Sequence, residues 1–403
     1  MTTTIDTRVG LGGISRQLPA YPLLMLLLAV SLGVSGAPAP LYGIYEEQWR
    51  LTPITTTLVF AVYAFGALVA VLISGVVSDR YGRKPLLLGA VVAMVVGLVI
   101  FMLARDVTAL YIARALHGGA VGTVVVVATA AMLDLRPDDG ARTGHLTGIT
   151  INVGMAVTIL SASLLAQFAP DPLVTPYAIV TLVVVLLLAA LLPMPETHQD
   201  RSTRPVRIAR PRVPAEIRAD FRFAVLGVMA AWSVLGVYLS LFPAFAGVST
   251  GIHSLVFGGM VVTAMAGAGA FGQAFGGRLA ARRAAVAGDF GTALALVLSL
   301  FALDSHSPGL VVAAAVLMGL TFGLAMGGSL RHLGSVVPTG HRGEVMSAFY
   351  LLAYGAMAVP TIGAGWAATQ WSLESVFPWF TAAVALACLA AGTLGLVANR
   401  RSR

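Results

Sequence analysis

Residues Gly75 to Leu87 read GVVSDRYGRKPLL and separate two long apolar runs, one ending near Val77 and the next beginning at Pro85. The connection holds Asp79, Arg80, Gly82, Arg83 and Lys84. A polar link this short makes the flanking runs antiparallel neighbours. Gly82 has no Cβ and suits the positive φ of a tight reversal. Pro85 fits the first turn of the next helix, where its missing N–H is not needed. Gly75 is expected to let another helix approach closely. Asp79 is placed to pair with the arginines or to face the positive N-terminal end of a neighbouring helix.

The rest of the chain has the same character. Of its 403 residues 58% are hydrophobic and 10% charged, whereas soluble domains carry about 25% charged residues. Twelve apolar runs follow one another: Tyr21–Tyr42, Ile54–Val77, Pro85–Ala104, Val107–Met132, Thr143–Phe168, Leu173–Met194, Phe223–Ala246, Ser254–Gly276, Ala285–Leu303, Leu310–Leu330, Val345–Ala368 and Val376–Val397. Each is long enough to cross about 30 Å of hydrocarbon as a helix. Helices satisfy their own backbone hydrogen bonds in lipid, so the fold class is an all-α membrane bundle. Ala37-Pro38-Ala39 resembles a signal-peptide cleavage site, but the run around it is long enough to span, and it is read as a retained helix.

Basic residues set the expected orientation. With the N-terminus inside, 22 Lys and Arg fall in cytoplasmic segments, two (Arg50 and Arg105) fall on the other side, and Arg114 falls within a span. Both termini are therefore expected in the cytoplasm, in a cell membrane and by composition a bacterial inner membrane. The net charge of +8 reflects this topology and contact with anionic lipid headgroups, and nucleic acid is not an expected partner. The single cysteine, Cys388, excludes internal disulfides and cysteine metal clusters. Neither a phosphate-binding loop, a metal-ligand cluster nor a nucleophile–base pair occurs. An enzyme, a metal site, a cofactor and ATP-driven transport by this chain alone are therefore disfavoured.

Two halves repeat. Gly75-Val76-Val77-Ser78-Asp79-Arg80 returns as Gly277-Arg278-Leu279-Ala280-Ala281-Arg282, and Met155-Ala156-Val157 returns as Met357-Ala358-Val359, both displaced by 202 positions. Arg142 before the fifth run parallels Arg342 before the eleventh. The expected organisation is a six-helix bundle over 1–195, an Arg- and Pro-rich cytoplasmic loop over 196–219, and a second six-helix bundle over 220–403, acting as a monomer.

At Gly75, Asp79, Arg80, Gly82, Arg83, Lys84 and Leu87 the chain resembles the major facilitator superfamily, whose loop between the second and third spans reads G-x-L-x-D-R-x-G-R-K-x-x-L. Val77 replaces the leucine. Pro195-Glu196-Thr197 also resembles the family. The resemblance implies alternating access around a midplane cavity, and it implies that the loop, with Arg142 and Gly343 near the start of the eleventh run, controls the cytoplasmic gate. Asp79 is expected against the N-terminal end of that run, near Gly343 to Met346.

Leu110-x-x-x-Arg114-x-x-His117-Gly118 resembles a second family pattern, L-x-x-x-R-x-x-Q-G, with His117 where glutamine is usual. A charge within a span is costly and marks a pathway by default. The resemblance implies that Arg114 faces the cavity and is linked to proton movement. Two readings of Arg114 stay open: this pathway role, and a buried structural hydrogen-bonding role. His117, one turn on, either titrates or serves as a neutral hydrogen-bonding group.

No run carries Asp or Glu at its middle, which lowers the expectation of cationic substrates. Two readings of Glu46 and Glu47, after the first run, stay open: carboxylates that approach Arg114 in one conformation, or solvated loop acids. Tyr63, Asn152, Trp232, Tyr238, Gln273, Tyr350 and Tyr354 are candidate cavity groups; for the aromatics a lipid-facing or interfacial placement stays open, and Asn152 and Gln273 are the stronger candidates because buried amides need partners. The antiporter branch carries G-x-x-x-G-P-x-x-G-G on the fifth span. Here Gly154 is kept and the Gly-Pro pair is lost, which weakens that assignment.

The expected function is proton-coupled export of a small neutral or amphipathic compound. An importer or uniporter of a small polar solute, such as a sugar or organic acid, stays open. So does a non-transporting membrane receptor or scaffold, which would not need the intramembrane arginine.

Overall fold

The structure, a computed structural model, describes residues 20–198 and 210–401. Arg8, Arg16, Arg403 and the loop arginines from Arg201 to Arg207 lie outside the described residues. Fourteen α-helices run through the described chain: α1 (Ala20–Gly36), α2 (Tyr42–Trp49), α3 (Pro53–Tyr81), α4 (Arg83–Leu103), α5 (Val107–Leu135), α6 (Gly140–Phe168), α7 (Thr175–Leu191), α8 (Arg218–Ser240), α9 (Phe242–Thr250), α10 (Leu255–Gly276), α11 (Ala281–Asp304), α12 (Pro308–Val336), α13 (Arg342–Trp371) and α14 (Leu373–Arg401).

Among the described residues, 11 helical stretches are long and apolar enough to cross a membrane. The twelfth apolar helix, α7, has 17 residues, about 26 Å. It is shorter than the run Leu173–Met194 because Pro176 lies in its first turn and Pro193 follows its end. The first and seventh runs also differ from the expectation of single helices. The first breaks after Gly36, where Pro38 and Pro40 lead into a short 3₁₀ turn, Ala39–Leu41. The seventh breaks at Leu241, with Pro243 opening α9. Proline lacks the N–H that would continue the ladder.

The packing repeats. In the first set of helices α1 lies on α6, α3 on α5, and α4 on α5 and α7; in the second set α8 lies on α13, α10 on α12, and α11 on α12 and α14. The closest approaches repeat too. Gly118 and Gly122 of α5 sit on the backbone of Tyr63 and Ala67 in α3, while Gly319 and Gly323 of α12 sit on that of Met265 and Gly269 in α10. The displacement is 319 − 118 = 323 − 122 = 201. Any Cβ at these four positions would collide with main chain. Lipid gives no hydrophobic drive between helices, so this close contact is what holds each pair.

Gly75 does not have that role. A Cβ there meets only Val126, at an ordinary 3.6 Å. The α3–α5 approach is set one to three turns deeper, by glycines on α5. The two sets of helices meet along two seams, α3 against α13 and α6 against α10. The face carrying the Gly75–Leu87 link is called the basic face below, and the other the opposite face.

Candidate functional site

The link between α3 and α4 is tighter than the run boundaries implied. α3 continues through Tyr81, and Gly82, at φ 102°, is the one residue between the helices. Arg83 turns inward and is buried. Its guanidinium meets Asp79 at 2.6 Å and Asp134 of α5 at 3.1 Å, and it donates to Ser78 Oγ. Arg80 is exposed over the Tyr81 ring. Lys84 Nζ donates to the Leu192 carbonyl at 2.6 Å.

Glu196, beyond α7, completes the corner. Its carboxylate accepts from the Arg83 N–H at 2.9 Å and the Lys84 N–H at 3.1 Å. These are free N–H groups at the start of α4, where the helix dipole favours an anion. The carboxylate fills the space a side chain at Gly82 would occupy. Glu196 was legible only as part of Pro195-Glu196-Thr197; its partner stands 113 positions away.

The contact expected between Asp79 and the start of α13 is not formed. Asp79 is half-exposed and its ion-pair partner is Arg83 in its own half. Arg142 and Gly343 are exposed at the starts of α6 and α13. Among the described residues no hydrogen bond or ion pair joins the basic-face ends of α3 and α13. At the opposite face the same two helices are joined: the Ile54 N–H donates to Thr369 Oγ1 at 3.0 Å, and Thr57 packs on Gly365.

Arg114 lies seven residues into α5, about 10 Å along the helix. It is 1% exposed, and it donates from Nη1 to the Ser35 carbonyl at 2.8 Å, beside the break after α1. Its guanidinium lies over Tyr63 at 4.7 Å, with Phe60 at 5.6 Å and Tyr42 at 6.0 Å. A cation over aromatic faces gains from the ring quadrupoles in place of a carboxylate. Arg114 forms no ion pair among the described residues, and its Nε lacks a partner.

His117 does not share that setting. It turns toward α4, against Gly97 and the Phe101 ring at 5.4 Å. Three residues on a helix turn through about 300°, so the two side chains diverge by about 60°. Neither glutamate reaches Arg114. Glu46 accepts from Thr56 Oγ1 at 2.5 Å, and Glu47 is exposed. Both line a cavity of about 570 Å³ at the opposite face, between α2 of the first half and α9 and α10 of the second, with Tyr42, Ser240 and His253.

Two cavity candidates meet across the α6–α10 seam. Asn152 Nδ2 donates to Gln273 Oε1 at 3.3 Å and to the Gly148 carbonyl at 2.9 Å. Nearer the opposite face Gln167 Oε1 accepts from Ser254 Oγ at 2.7 Å and from the Val256 N–H at 3.0 Å. Tyr63 and Tyr354 share one apolar cluster spanning the two halves. Tyr354 stacks edge-on against Trp232 at 4.8 Å and lies 6.5 Å from the Tyr350 ring. Tyr238 stands apart, stacked at 4.1 Å on Phe242 inside the second half.

The reading that no run carries Asp or Glu at its middle passed over a buried carboxylate nearer one end, Asp289, the fifth residue of the run Ala285–Leu303. Asp289 lies eight residues into α11, about 12 Å along it, and is 1% exposed. The run Ala285–Leu303 reads as apolar around it, which hid it.

The chain is similar to several transport proteins. It is 34% identical over 89 residues to an arabinose-proton symporter of Bacillus subtilis, covering 22% of this chain and 18% of the relative. It is 30% identical over 158 residues to the multidrug resistance protein MdtL of Escherichia fergusonii, covering 38% of this chain and 39% of the relative. The matched stretches thus span less than half the length of either relative. The solved structure of a bacterial homologue of the human lysosomal transporter Spinster superposes with a TM-score of 0.73 at 13% identity, over 96% of this chain and 97% of the other; this is a likeness of fold. The sequence profile of the Major Facilitator Superfamily matches residues 24–361, and with the repeated bundles and the Gly75–Leu87 link this chain belongs to that superfamily of membrane transporters.

Proposed function

We propose that this transporter exports a small neutral or amphipathic compound in exchange for protons, by rocking of the two halves about the α3–α13 and α6–α10 seams. The observation that carries this reading is the chemistry of the groups brought together between the halves. They are the Asn152–Gln273 amide pair across one seam and the ring surfaces of Trp232, Tyr354 and Tyr63 in the cluster shared by both halves, with one buried cation, Arg114, over the Tyr63 ring inside the first half. Rings and amides recognise compounds with apolar bodies and a few hydrogen-bonding groups. Similarity to a multidrug resistance protein supports the same direction.

The gate in this reading is the basic-face corner. Asp79, Arg83, Asp134, Ser78 and Glu196 lock α3, α4 and α5 into one unit, so that the first half moves as a body. Asp79, half-exposed beside Arg83, is the group free to meet the start of α13 when the halves close on that side.

One observation favours a second reading. Among the described residues Arg114 is buried with no ion-pair partner and its Nε has no hydrogen-bond partner, a setting that also suits the carboxylate of an organic acid. An importer of such a solute is the alternative, and similarity to a sugar–proton symporter is compatible with import. Transport in vesicles of both orientations under an imposed pH gradient separates the two. Export predicts uptake into inverted vesicles whose lumen is acid; import with protons predicts uptake into right-side-out vesicles in acid medium.

A further inference from the structure

Asp289 belongs to neither seam. It sits within the second half, where α11 packs on α8, α12 and α14. Its carboxylate fills a niche on α8 left by Gly227: a Cβ there would stand 2.5 Å from Oδ1 and 3.0 Å from Oδ2. Both oxygens are buried, and among the described residues neither has a hydrogen-bond partner. Among the described residues no basic side chain pairs with it.

The groups facing it from each packed element are few. From α14, which packs on α11, comes Cys388, a buried thiol. On α12, Thr321 lies against Gly291 and Thr292 of α11, meeting the Thr292 hydroxyl at 3.2 Å, and is already committed to the carbonyls of Leu317 and Met318. Toward the basic face, two turns earlier on the same helices, stand Asp220 of α8 and Arg282 of α11, 3.7 Å apart. His332 of α12 meets Asp220 at 2.8 Å. Arg282 donates from Nε to the Gly395 carbonyl and leaves Nη2 without a partner.

An ionised carboxylate without partners in apolar surroundings is taken out of water at a cost nothing here offsets, and such groups neutralise instead. A resident metal ion does not fit the site. Hard cations such as calcium take six or more oxygens, whereas Asp289 offers two, and the helical carbonyls around it are engaged in their own ladders. We propose that Asp289 is a proton-binding site of the second half, neutral when α8, α11 and α14 pack as they do here. Arg282, with an uncommitted Nη2 two turns away, is the cation toward which a deprotonated Asp289 turns. This site is separate from Arg114 and stands whether the transporter exports or imports.

The test uses the full-length protein in lipid. Infrared spectra of wild type and the isosteric Asp289→Asn variant are compared across a pH series. The expected result is a protonated-carboxyl C=O band in wild type that is lost in the variant and fades as the pH is raised. No difference between the two at any pH overturns the proposal. A second measurement needs no variant. A lipophilic carbodiimide adds the O–H of a protonated carboxyl across one of its C=N bonds and rearranges to an N-acylurea, with no leaving group. Mass spectrometry is expected to find this adduct on Asp289 and to find less of it at higher pH. Labelling that is constant until the protein unfolds makes Asp289 a permanently neutral structural group and overturns the site. Protection by sodium ions at fixed pH replaces the proton by a metal ion and also overturns it.

Discussion

Asn152 and Gln273 face each other across the α6–α10 seam, and the amide of one half donates to the amide of the other at 3.3 Å. Neither residue is charged, and the seam around them is close-packed: Gly269 lies 3.0 Å from Asn152 Oδ1 at its Cβ position, and Gln273 covers Gly148. In the proposed rocking, a seam that parts and re-forms is better served by such a pair than by an ion pair, which is costly to separate within a membrane. Polar contacts between membrane helices average about 0.6 kcal/mol and reach about 1.7. A double-mutant cycle with Asn152→Ala and Gln273→Ala, read from unfolding in detergent, is expected to give a coupling in that range. Strict additivity would mean that the contact contributes nothing.

The corner at Gly82 predicts a ranking. Glu196→Ala removes the acceptor for two free N–H groups at the start of α4 and is expected to lower stability by about 1 kcal/mol. Glu196→Gln keeps an acceptor but loses the charge that complements the helix dipole, so it is expected to fall between wild type and alanine. Thermal unfolding of the three proteins checks this order. Equal stability of all three would contradict the capping role.

Arg83 serves Ser78, Asp79 and Asp134 together. Lysine keeps the charge but lacks the fork that reaches three partners. Arg83→Lys is therefore expected to lose most transport while the protein still reaches the membrane. Asp79→Asn is expected to lower transport and to raise labelling of cysteines placed between the halves at their basic-face ends. Unchanged accessibility with full activity would remove Asp79 from the gate.

Arg114 separates two roles by substitution. If it binds substrate or relays the proton response through its planar donors, Arg114→Lys fails nearly as badly as Arg114→Ala in transport while expression is retained. Recovery by lysine would reduce it to a buried charge. His117→Gln is expected to be mild in either case, because His117 packs against Phe101 on α4, away from Arg114.

The architecture could be read from run lengths, from the 202-position repeat and from the residues between Gly75 and Leu87, because spacing and composition are local. The helix breaks at Pro38–Pro40 and at Pro243 were visible as prolines, but apolar composition on both sides carried the reading through them. Contacts were less legible. Ser35 meets Arg114 from 79 positions away and Glu196 meets Arg83 from 113; both are products of helix packing that no local pattern encodes. Asp289 was missed for a different reason. One carboxylate does little to the average of a long apolar run, and only its lack of a partner in the folded bundle marks it.

The direct test of the proposed proton-driven export is substrate movement in inverted and right-side-out vesicles from the same cells, each with an imposed pH gradient. The account predicts that inverted vesicles with an acid lumen accumulate the substrate, that collapse of the gradient abolishes the accumulation, and that Arg114→Ala removes it. Accumulation instead in right-side-out vesicles placed in acid medium, lost on collapse of the gradient, would contradict export and establish proton-coupled import.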